Sequence, residues 1–231
     1  MTTTATIAEQ VASHHRASAG QLPPEVAEAF AAEQRDLAAA GNPPGVAEPG
    51  SRMPDGELLD VGGQPTTLAQ NLGGKPAVMV FYRGGWCPYC NIALRTDQAQ
   101  LVPALAERGI GLVAISPQAP DGSLSTKETK ELTFTVLSDP GNQLARQLGI
   151  LTAPSDGTRA AQLQLGLDVA QVNADGTTAL PMPTVIIAGA DGTIRWIDVH
   201  PDYTTMAEPG QVLQAVTEPS KTSGFSWARA A

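Results

Sequence analysis

The most constraining feature of this chain is a short, wholly apolar segment that runs almost directly into two closely spaced cysteines. Residues 77–82 read Ala-Val-Met-Val-Phe-Tyr, and Cys87 and Cys90 follow after a short glycine-containing stretch. A continuous apolar run of this length is typical of a strand that is buried on both faces of a sheet. Pro88 is favourable in the first turn of a helix. The segment therefore predicts a central strand that turns into a helix at the cysteines.

The remaining patterns predict an alternation of strands and helices around this unit. The predicted strands are residues 57–61, 66–68, 112–115, 136–137, 185–188 and 193–199. The predicted helices are 24–40, 87–108 with a break at Pro103, 125–132, a segment from 139 to 149 and one that begins near 209. Such an order favours an α/β fold with a central mixed sheet flanked by helices.

The chain of 231 residues is predicted to hold one enlarged domain with additions at both ends. Residues 1–50 are expected to form an N-terminal helical extension and a proline-rich linker. Residues 51–218 are expected to form the α/β domain, and residues 219–231 a C-terminal tail. Residues 150–181 show no clear periodicity, so their structure is not predicted.

Charge and hydropathy exclude several classes of function. The net charge is −9, and the 14 lysines and arginines do not cluster, which argues against nucleic-acid binding. The apolar run at 77–82 is far shorter than the roughly 18 residues that a membrane-spanning helix needs. Residues 1–20 lack the cationic start and apolar core of a signal peptide. We therefore expect a cytoplasmic protein without a membrane partner.

The two cysteines have the spacing and the placement of a redox centre. A helix N-terminus carries unpaired amide groups and a partial positive charge, which stabilise a thiolate by about 0.3–1 kcal/mol, and by up to about 2 kcal/mol when the group is partly buried. This lowers a thiol pKa by about one unit. Arg83 is expected to add to the effect. Spacing of three places the sulfurs of Cys87 and Cys90 on one helical face, within reach of a disulfide.

Two other readings of the cysteine pair stay open at this point. The pair is compatible with half of a zinc site, but zinc needs four ligands and the three histidines offer no matching second pair. It is also compatible with two buried, inert thiols. The position at the start of a helix favours the redox interpretation.

Four segments resemble the peroxiredoxin-like branch of the alkyl hydroperoxide reductase/thiol-specific antioxidant (AhpC/TSA) family. They are residues 81–91 (Phe-Tyr-Arg-Gly-Gly-Trp-Cys-Pro-Tyr-Cys-Asn), 114–118, 136–142 and 202–209, in the order that the family has them. The resemblance extends over about residues 54–216. It implies a thioredoxin-like fold and the reduction of hydroperoxides by a thiol.

The resemblance also implies roles for individual residues. Cys90 takes the position of the peroxide-attacking cysteine, Cys87 replaces the usual Thr or Ser, and Arg83 replaces the usual Pro. The family has an arginine shortly before the strand that faces the cysteine. The corresponding segment here, which holds Pro183 and Thr184, has no arginine and is similar to the cis-proline loop of thioredoxins. We therefore expect both to line the site, with a cis bond between Met182 and Pro183.

Trp86 and Tyr89 are expected to line the site as well, and Cys87, at the helix start, is expected to be more exposed than Cys90. The resemblance implies a thiol-dependent antioxidant peroxidase of cell redox homeostasis, with Cys87 and Cys90 as a redox-active disulfide. Its partners would be a hydroperoxide and a thioredoxin-type or low-molecular-weight thiol reductant, without a metal or organic cofactor. A homodimer is left open. The alternatives are a thiol–disulfide oxidoreductase that acts on protein disulfides and a non-catalytic redox-sensing partner protein.

Overall fold

The computed structural model describes residues 5–120 and 132–217. Its strands form a seven-stranded mixed sheet, which confirms the predicted fold class. The strands are β1 (Glu57–Leu59), β2 (Pro65–Thr67), β3 (Ala77–Phe81), β4 (Gly111–Ser116), β5 (Thr135–Ser138), β6 (Leu151–Thr152), β7 (Leu180–Pro181), β8 (Thr184–Ala188) and β9 (Ile194–Val199). The order in the large sheet is β2-β1-β5-β4-β3-β8-β9, and β6 and β7 pair separately.

The helices are α1 (Ile7–Ser18), α2 (Pro24–Ala40), α3 (Leu68–Leu72), α4 (Pro88–Thr96), α5 (Val102–Ala106), α6 (Gln143–Gln147), α7 (Asp156–Gln164), α8 (Val169–Val172) and α9 (Pro209–Thr217). No helix of the described residues has the length and apolarity needed to cross a membrane. The predicted helix 125–132 falls almost wholly, and the predicted tail 219–231 wholly, outside the described residues.

Strand β3 lies in the interior of the sheet, between β4 and β8, and every residue of it is buried. It pairs in parallel with β4 and antiparallel with β8. Its side chains alternate between two cores, as the period of two along a strand requires. Val78 and Val80 face the core that holds the cysteines, whereas Met79 and Phe81 face the opposite one. The loop that carries the cysteines therefore follows directly from a fully buried strand.

The helix that follows the cysteines is interrupted, as Pro103 predicted, but the interruption begins before the proline. Helix α4 ends at Thr96, and Asp97–Leu101 forms a π-helical turn that leads into α5. A proline inside a helix removes one amide donor and clashes with the carbonyl four residues earlier, so the turn before it must widen. The π-turn is the local solution, and it places Asp97 at the point where the helix geometry changes.

Helix α1, which the sequence pattern did not reveal, packs against the middle of α4. Ile7 and Val11 are buried with Ile92 and Ala93 of α4. The carboxylate of Glu208 accepts hydrogen bonds from the amides of Ile7 at 2.9 Å and Ala8 at 2.8 Å. An anionic acceptor at a helix N-terminus satisfies amides that have no partner within the helix. The N-terminal segment is therefore held on the α/β core near the cysteines.

Residues 150–181, for which the sequence predicted no structure, contain β6, α7, α8 and β7. Helix α7 escaped detection because its buried face carries Thr158, Ala161 and Gln162 rather than large apolar residues. That face packs on α2, where Glu33 accepts a hydrogen bond from the amide of Ser155 at 2.7 Å. When the buried face of a helix is polar, the sequence lacks the helical spacing of apolar residues from which the helix could be predicted.

Two glycines with nearly the same backbone conformation allow a test of how closely the segment at Gly45 packs against Gly149. Gly149 has φ +70° and Gly109 has φ +68°, but a Cβ at Gly149 would collide with the backbone of Gly45, whereas one at Gly109 would meet nothing within 4 Å. Both alanine variants carry the strain of a left-handed residue, about 1 kcal/mol. We expect Gly149→Ala to lose about 1–3 kcal/mol more in the free energy of unfolding. Urea denaturation measures the difference, and equal losses would contradict the packing at Gly149.

Candidate active site

The loop between β3 and α4 is fixed by hydrogen bonds to both backbone polar groups of Gly85. The side-chain oxygen of Gln118 accepts a hydrogen bond from the amide of Gly85, and the side-chain amide of Asn91 donates one to the carbonyl of Gly85, each at 2.7 Å. Gly84 has φ +149°, and a Cβ there would overlap the indole of Trp86 and approach Gln118 to 2.9 Å. Only glycine fits at residue 84, and the loop reaches the cysteines in one conformation.

Both cysteines are free thiols, and both are buried. Cys87 is the N-cap residue of α4 and Cys90 lies in its first turn. Their exposed fractions are 1% and 0%, so Cys87 exceeds Cys90 in exposure only by this margin and both residues are covered. Trp86, Tyr89 and Met206 pack against the core cluster that contains both sulfurs. The segment that follows β9 supplies part of this cover, which a local reading of the helix start cannot reveal.

The two sulfurs differ strongly in acidity. Burial raises the pKa of Cys87, but the hydrogen bond from the Cys90 thiol and the positive charge of Arg83 outweigh burial and lower that pKa to about 7. Burial raises the pKa of Cys90 well above its usual value, and the hydrogen bond to Cys87 and the charge of Cys87 raise it further. Near neutral pH Cys87 is therefore partly ionised to the thiolate, whereas Cys90 stays a thiol.

Arg83 is a buried cation, with an exposed fraction of 5%. Its guanidinium lies 3.8 Å from the centre of the Tyr203 ring and 5.2 Å from that of Trp86, as in cation–π contacts. Its Nε has no hydrogen-bond partner, and no carboxylate of residues 5–120 and 132–217 forms an ion pair with it. A buried charge is costly unless it is compensated, so the Cys87 thiolate acts as the counter-charge.

A cavity of about 20 Å³ adjoins Cys90 rather than Cys87. This volume admits a water-sized molecule. Polar or reactive side chains in its wall, besides apolar ones, belong to Tyr82, Cys90, Asp97, Thr184 and His200. The structure thus brings Pro183 and Thr184 to the cavity wall beside Cys90.

The predicted cis bond before Pro183 is wrong, because the described residues contain no cis peptide bond. The chain runs extended from β7 into β8 at this point. The amide of Met182 donates to the carbonyl of Ile150 at 2.8 Å, and the carbonyl of Pro183 accepts from the amide of His200 at 2.9 Å. A trans bond continues this extended path and is the favoured form of the bond.

Sequence reasoning missed Asp97 and Tyr82. Asp97 is 4% exposed, and burial together with the charge of Glu208 raises its pKa to about 8. Burial, opposed by a hydrogen bond with Ser116, raises the pKa of Tyr82 to about 12. A pattern did exist for Asp97, since it lies on the helical stripe of Cys90, Ala93, Leu94 and Leu101 (all buried) and is its single acid.

Tyr89 connects the cysteine helix to the N-terminal segment. Its ring makes edge contacts with His14 at 5.8 Å and His15 at 5.3 Å, and it lies 6.2 Å from the ring of Tyr203. These histidines do not form a ligand set with the cysteines: among the described residues no group of three or more His, Cys, Asp and Glu side chains is arranged to hold a metal ion. The corner is aromatic and packs over the site.

The charge of Arg83 can be tested through the acidity of Cys87. Replacing Arg83 with Gln removes the cation and keeps a polar side chain of similar reach. We expect the pKa of Cys87 to rise from about 7 toward its usual value, because a compensating charge is lost. The ultraviolet absorbance of the thiolate, titrated against pH, measures this. Arg108→Gln, at an exposed arginine, serves as the control and should leave the titration unchanged. A Cys87 pKa that stays near 7 in Arg83→Gln would contradict the pairing.

Asp97 makes stability depend on pH in a defined direction. Its pKa is about 8 in the folded protein and about 4 in an unfolded chain, so between these values the folded state holds a proton that the unfolded state lacks. The contribution of Asp97 to the free energy of unfolding therefore falls as pH rises from about 4 to about 8. Asp97→Asn should remove this fall and be the more stable protein above about pH 8, by roughly a few kcal/mol. Urea denaturation at several pH values tests this, with exposed Asp36→Asn as the control; parallel pH profiles for wild type and Asp97→Asn would contradict it.

Comparison with known proteins agrees with the fold. The family model of the AhpC/TSA family matches residues 49–197, well over half of the chain. The protein named as the peroxiredoxin bcp of Haemophilus influenzae is 36% identical over 80 residues, which are 33% of this chain and 49% of the relative. The chloroplastic peroxiredoxin Q of Sedum lineare is 33% identical over 110 residues, 46% of this chain and 55% of the relative. The matches thus span about half the length of these relatives.

Among solved structures, the peroxidoxin BcpB from Mycobacterium tuberculosis superimposes with a TM-score of 0.52 at 20% identity, covering 73% of this chain and 96% of the other. At this identity the likeness establishes the thioredoxin-like fold. The residues that the family model matches contain β3, the cysteine pair and the β8–β9 hairpin up to residue 197, and this match establishes the family as well as the fold. The chain belongs to the AhpC/TSA family.

Proposed function

We propose that the protein is a thiol-dependent peroxidase that reduces small hydroperoxides with the Cys87–Cys90 dithiol. The observation that carries the proposal is the asymmetric pair itself, a Cys87 thiolate compensated by Arg83 and a Cys90 thiol beside a small cavity. The thiolate is the nucleophilic form of cysteine. Family membership and relatives named as peroxiredoxins support the substrate class.

In the proposed reaction the Cys87 thiolate attacks one peroxide oxygen. The O–O bond breaks, an alcohol or water leaves after it takes up a proton, and Cys87 becomes a sulfenic acid. Cys90 then attacks the Cys87 sulfur, hydroxide leaves and is protonated, and a Cys87–Cys90 disulfide forms. Two thiolates from a thioredoxin-type protein or a low-molecular-weight thiol restore the dithiol by exchange. No step uses a metal or an organic cofactor.

The order of the cysteines is the point at which the motif and the electrostatics differ. The family motif assigns the attack to Cys90, and the cavity beside that sulfur supports the assignment. The lowered pKa of Cys87 and the charge of Arg83 support Cys87 instead. We propose Cys87 as the attacking residue, because a thiol whose pKa is well above its usual value is a poor nucleophile at neutral pH.

The same observations favour a second candidate, a thiol–disulfide oxidoreductase. An acidic cysteine at a helix N-terminus with a less acidic partner three residues on is suited to exchange with a disulfide, and exchange shares every step but the first. Burial of both sulfurs weighs against large protein disulfides as substrates. A redox-sensing partner protein finds less support, because the apolar residues of α1 pack on α4 rather than outward. A cytoplasmic location and the choice between monomer and homodimer stay expectations.

Peroxide mixing with single-cysteine variants tests the proposal. Trp86 packs against the cysteine cluster, so its fluorescence is expected to report oxidation of the site. In the wild type we expect rapid quenching on mixing with hydrogen peroxide. Cys90→Ser should keep this phase, consume one peroxide per protein and trap a sulfenic acid on Cys87, whereas Cys87→Ser should lose it.

Each alternative has its own outcome in the same experiment. Rapid quenching in Cys87→Ser, with a sulfenic acid on Cys90, would transfer the attack to Cys90 as the family motif has it. Reaction of all three proteins only at the slow rate of an ordinary thiol would contradict peroxidase activity. In that case rapid reduction of a small disulfide by the wild type would favour the oxidoreductase.

A further inference from the structure

We propose that Tyr203 is a positioning residue for Cys87, because its ring holds the guanidinium of Arg83 in place beside that thiol. Tyr203 lies in residues 202–209, one of the four family-like segments, and no step of the proposed reaction uses it. The inference rests on the proposed use of Cys87 as the nucleophile, but it applies to an attack on a disulfide as well as on a peroxide. The resemblance to the family gives Tyr203 no role.

Of the two rings that contact the charged end of Arg83, that of Tyr203 is the closer. The guanidinium carbon lies 3.8 Å from the centre of the Tyr203 ring, whereas it lies 5.2 Å from that of Trp86. A separation of 3.8 Å is van der Waals contact, and the negative face of a ring attracts a cation that lies over it. Arg83 and Tyr203 are both 5% exposed, so little water competes with this attraction.

The guanidinium depends on the rings because it lacks directed partners. Its Nε has no hydrogen-bond partner, and no carboxylate of the described residues pairs with it. Two acids reach this corner, but Glu33 accepts a hydrogen bond from the amide of Ser155 at 2.7 Å, and Asp202 accepts one from the amide of Thr204 at 3.0 Å. A long side chain without such bonds has many rotamers, and stacking on a ring restricts them.

Tyr203 is itself held by parts of the chain that are separate from the cysteine loop. It lies in a turn in which the carbonyl of Asp202 accepts a hydrogen bond from the amide of Thr205 at 3.0 Å. The side-chain amide of Gln34, in α2, donates to the Tyr203 hydroxyl at 3.4 Å. The ring therefore has its own support, against which the guanidinium of Arg83 is placed.

The cysteine loop brings Cys87 back to Arg83. The amide of Cys87 donates a hydrogen bond to the carbonyl of Gly84 at 3.1 Å, which closes a tight turn directly after Arg83. The backbone amide of Arg83 donates to the Cys90 sulfur, and its guanidinium lies over the ring of Trp86, the residue before Cys87. A guanidinium that is stacked on both rings therefore lies at the cysteine pair.

The positive charge of Arg83 favours the nucleophilic form of Cys87. Burial acts against a thiolate there, and the hydrogen bond from the Cys90 thiol comes before the charge of Arg83 among the effects that act for it. A charge interaction weakens with distance and with a rising dielectric constant. Without the ring of Tyr203 the guanidinium would be free to turn toward water, and its effect on Cys87 would be smaller in both respects. Tyr203 thus acts on Cys87 through Arg83.

Methyl methanethiosulfonate is a small reagent that probes the thiolate without peroxide. The Cys87 thiolate attacks its sulfenyl sulfur, a methyl disulfide forms and methanesulfinate leaves. The ultraviolet absorbance of the thiolate gives the pKa by titration and the rate of this reaction by its decay. Burial raises the pKa of Cys90 well above its usual value and that of Tyr203 to about 12, so neither obscures the signal of Cys87. The two histidines of α1 that contact Tyr89 are the same in every variant.

Two substitutions of Tyr203 separate its ring from its hydroxyl. Tyr203→Leu removes the aromatic face, and we expect the pKa of Cys87 to rise by about one unit. At about pH 7 the reaction with the reagent should then be about fivefold slower, since the ionised fraction falls from about one half to about one tenth. Above about pH 9 it should at least match the wild type, because the thiolate is formed in both proteins. Tyr203→Phe, the matched control, keeps the ring and should behave as the wild type.

A double variant distinguishes positioning from a merely structural role. Once Arg83→Gln has removed the charge, adding Tyr203→Leu should change the pKa of Cys87 no further. An equal rise with and without Arg83 would overturn the inference, and so would an unchanged pKa in Tyr203→Leu or a raised one in Tyr203→Phe. If Tyr203→Leu does not fold, a trifluorinated phenylalanine at residue 203 keeps the shape of the ring but weakens its negative face. An unchanged Cys87 pKa in that protein would be equally decisive against the inference.

The same proteins keep this inference apart from the peroxidase proposal. The expected titrations, together with a wild type that reacts with hydrogen peroxide only slowly, would overturn the peroxidase proposal alone. A wild type that reacts rapidly with hydrogen peroxide, together with a Tyr203→Leu protein that titrates as the wild type does, would overturn only the role of Tyr203.

Discussion

The site depends on the burial of the Arg83 guanidinium without a carboxylate partner among the described residues. Its faces are taken by the rings of Tyr203 and Trp86, at 3.8 and 5.2 Å from the ring centres, which exclude water and lower the local dielectric. In such surroundings an unpaired charge is costly, and a thiolate at Cys87 relieves part of the cost. The same crowding explains why residue 84 is glycine, since any side chain there would displace the indole.

This pairing makes the two sulfurs unequal, and the inequality has consequences for the rest of the site. The hydrogen bond and charge that favour the Cys87 thiolate leave Cys90 as a thiol that is hard to ionise. Asp97 is the carboxyl group in the wall of the cavity beside Cys90. Glu208 links this corner to the N-terminal segment, since its carboxylate both binds the start of α1 and raises the pKa of Asp97.

Local patterns predicted the elements whose type can be recognised from a few consecutive residues. The buried run at 77–82 became β3, and the predicted strands 185–188 and 193–199 became the β8–β9 hairpin. Helix α7 was not predicted, because its buried residues are polar or small. A break in the helix was predicted at Pro103, but the π-turn that forms it begins earlier, at Asp97. Pattern reading failed where burial and hydrophobicity do not coincide.

The sequence by itself determined that a buried strand leads into a helix whose first turn carries two cysteines, because strand and helix periods and the proline preference are local properties. It also determined the mixed α/β sheet, through the order of those elements. Only the tertiary structure decided that Cys87 is buried, that Tyr203 covers Arg83, and that Asp97 shares a cavity with Cys90. The physical reason is that desolvation and charge interactions depend on every group packed around an atom, and here those groups come from segments far apart in the chain.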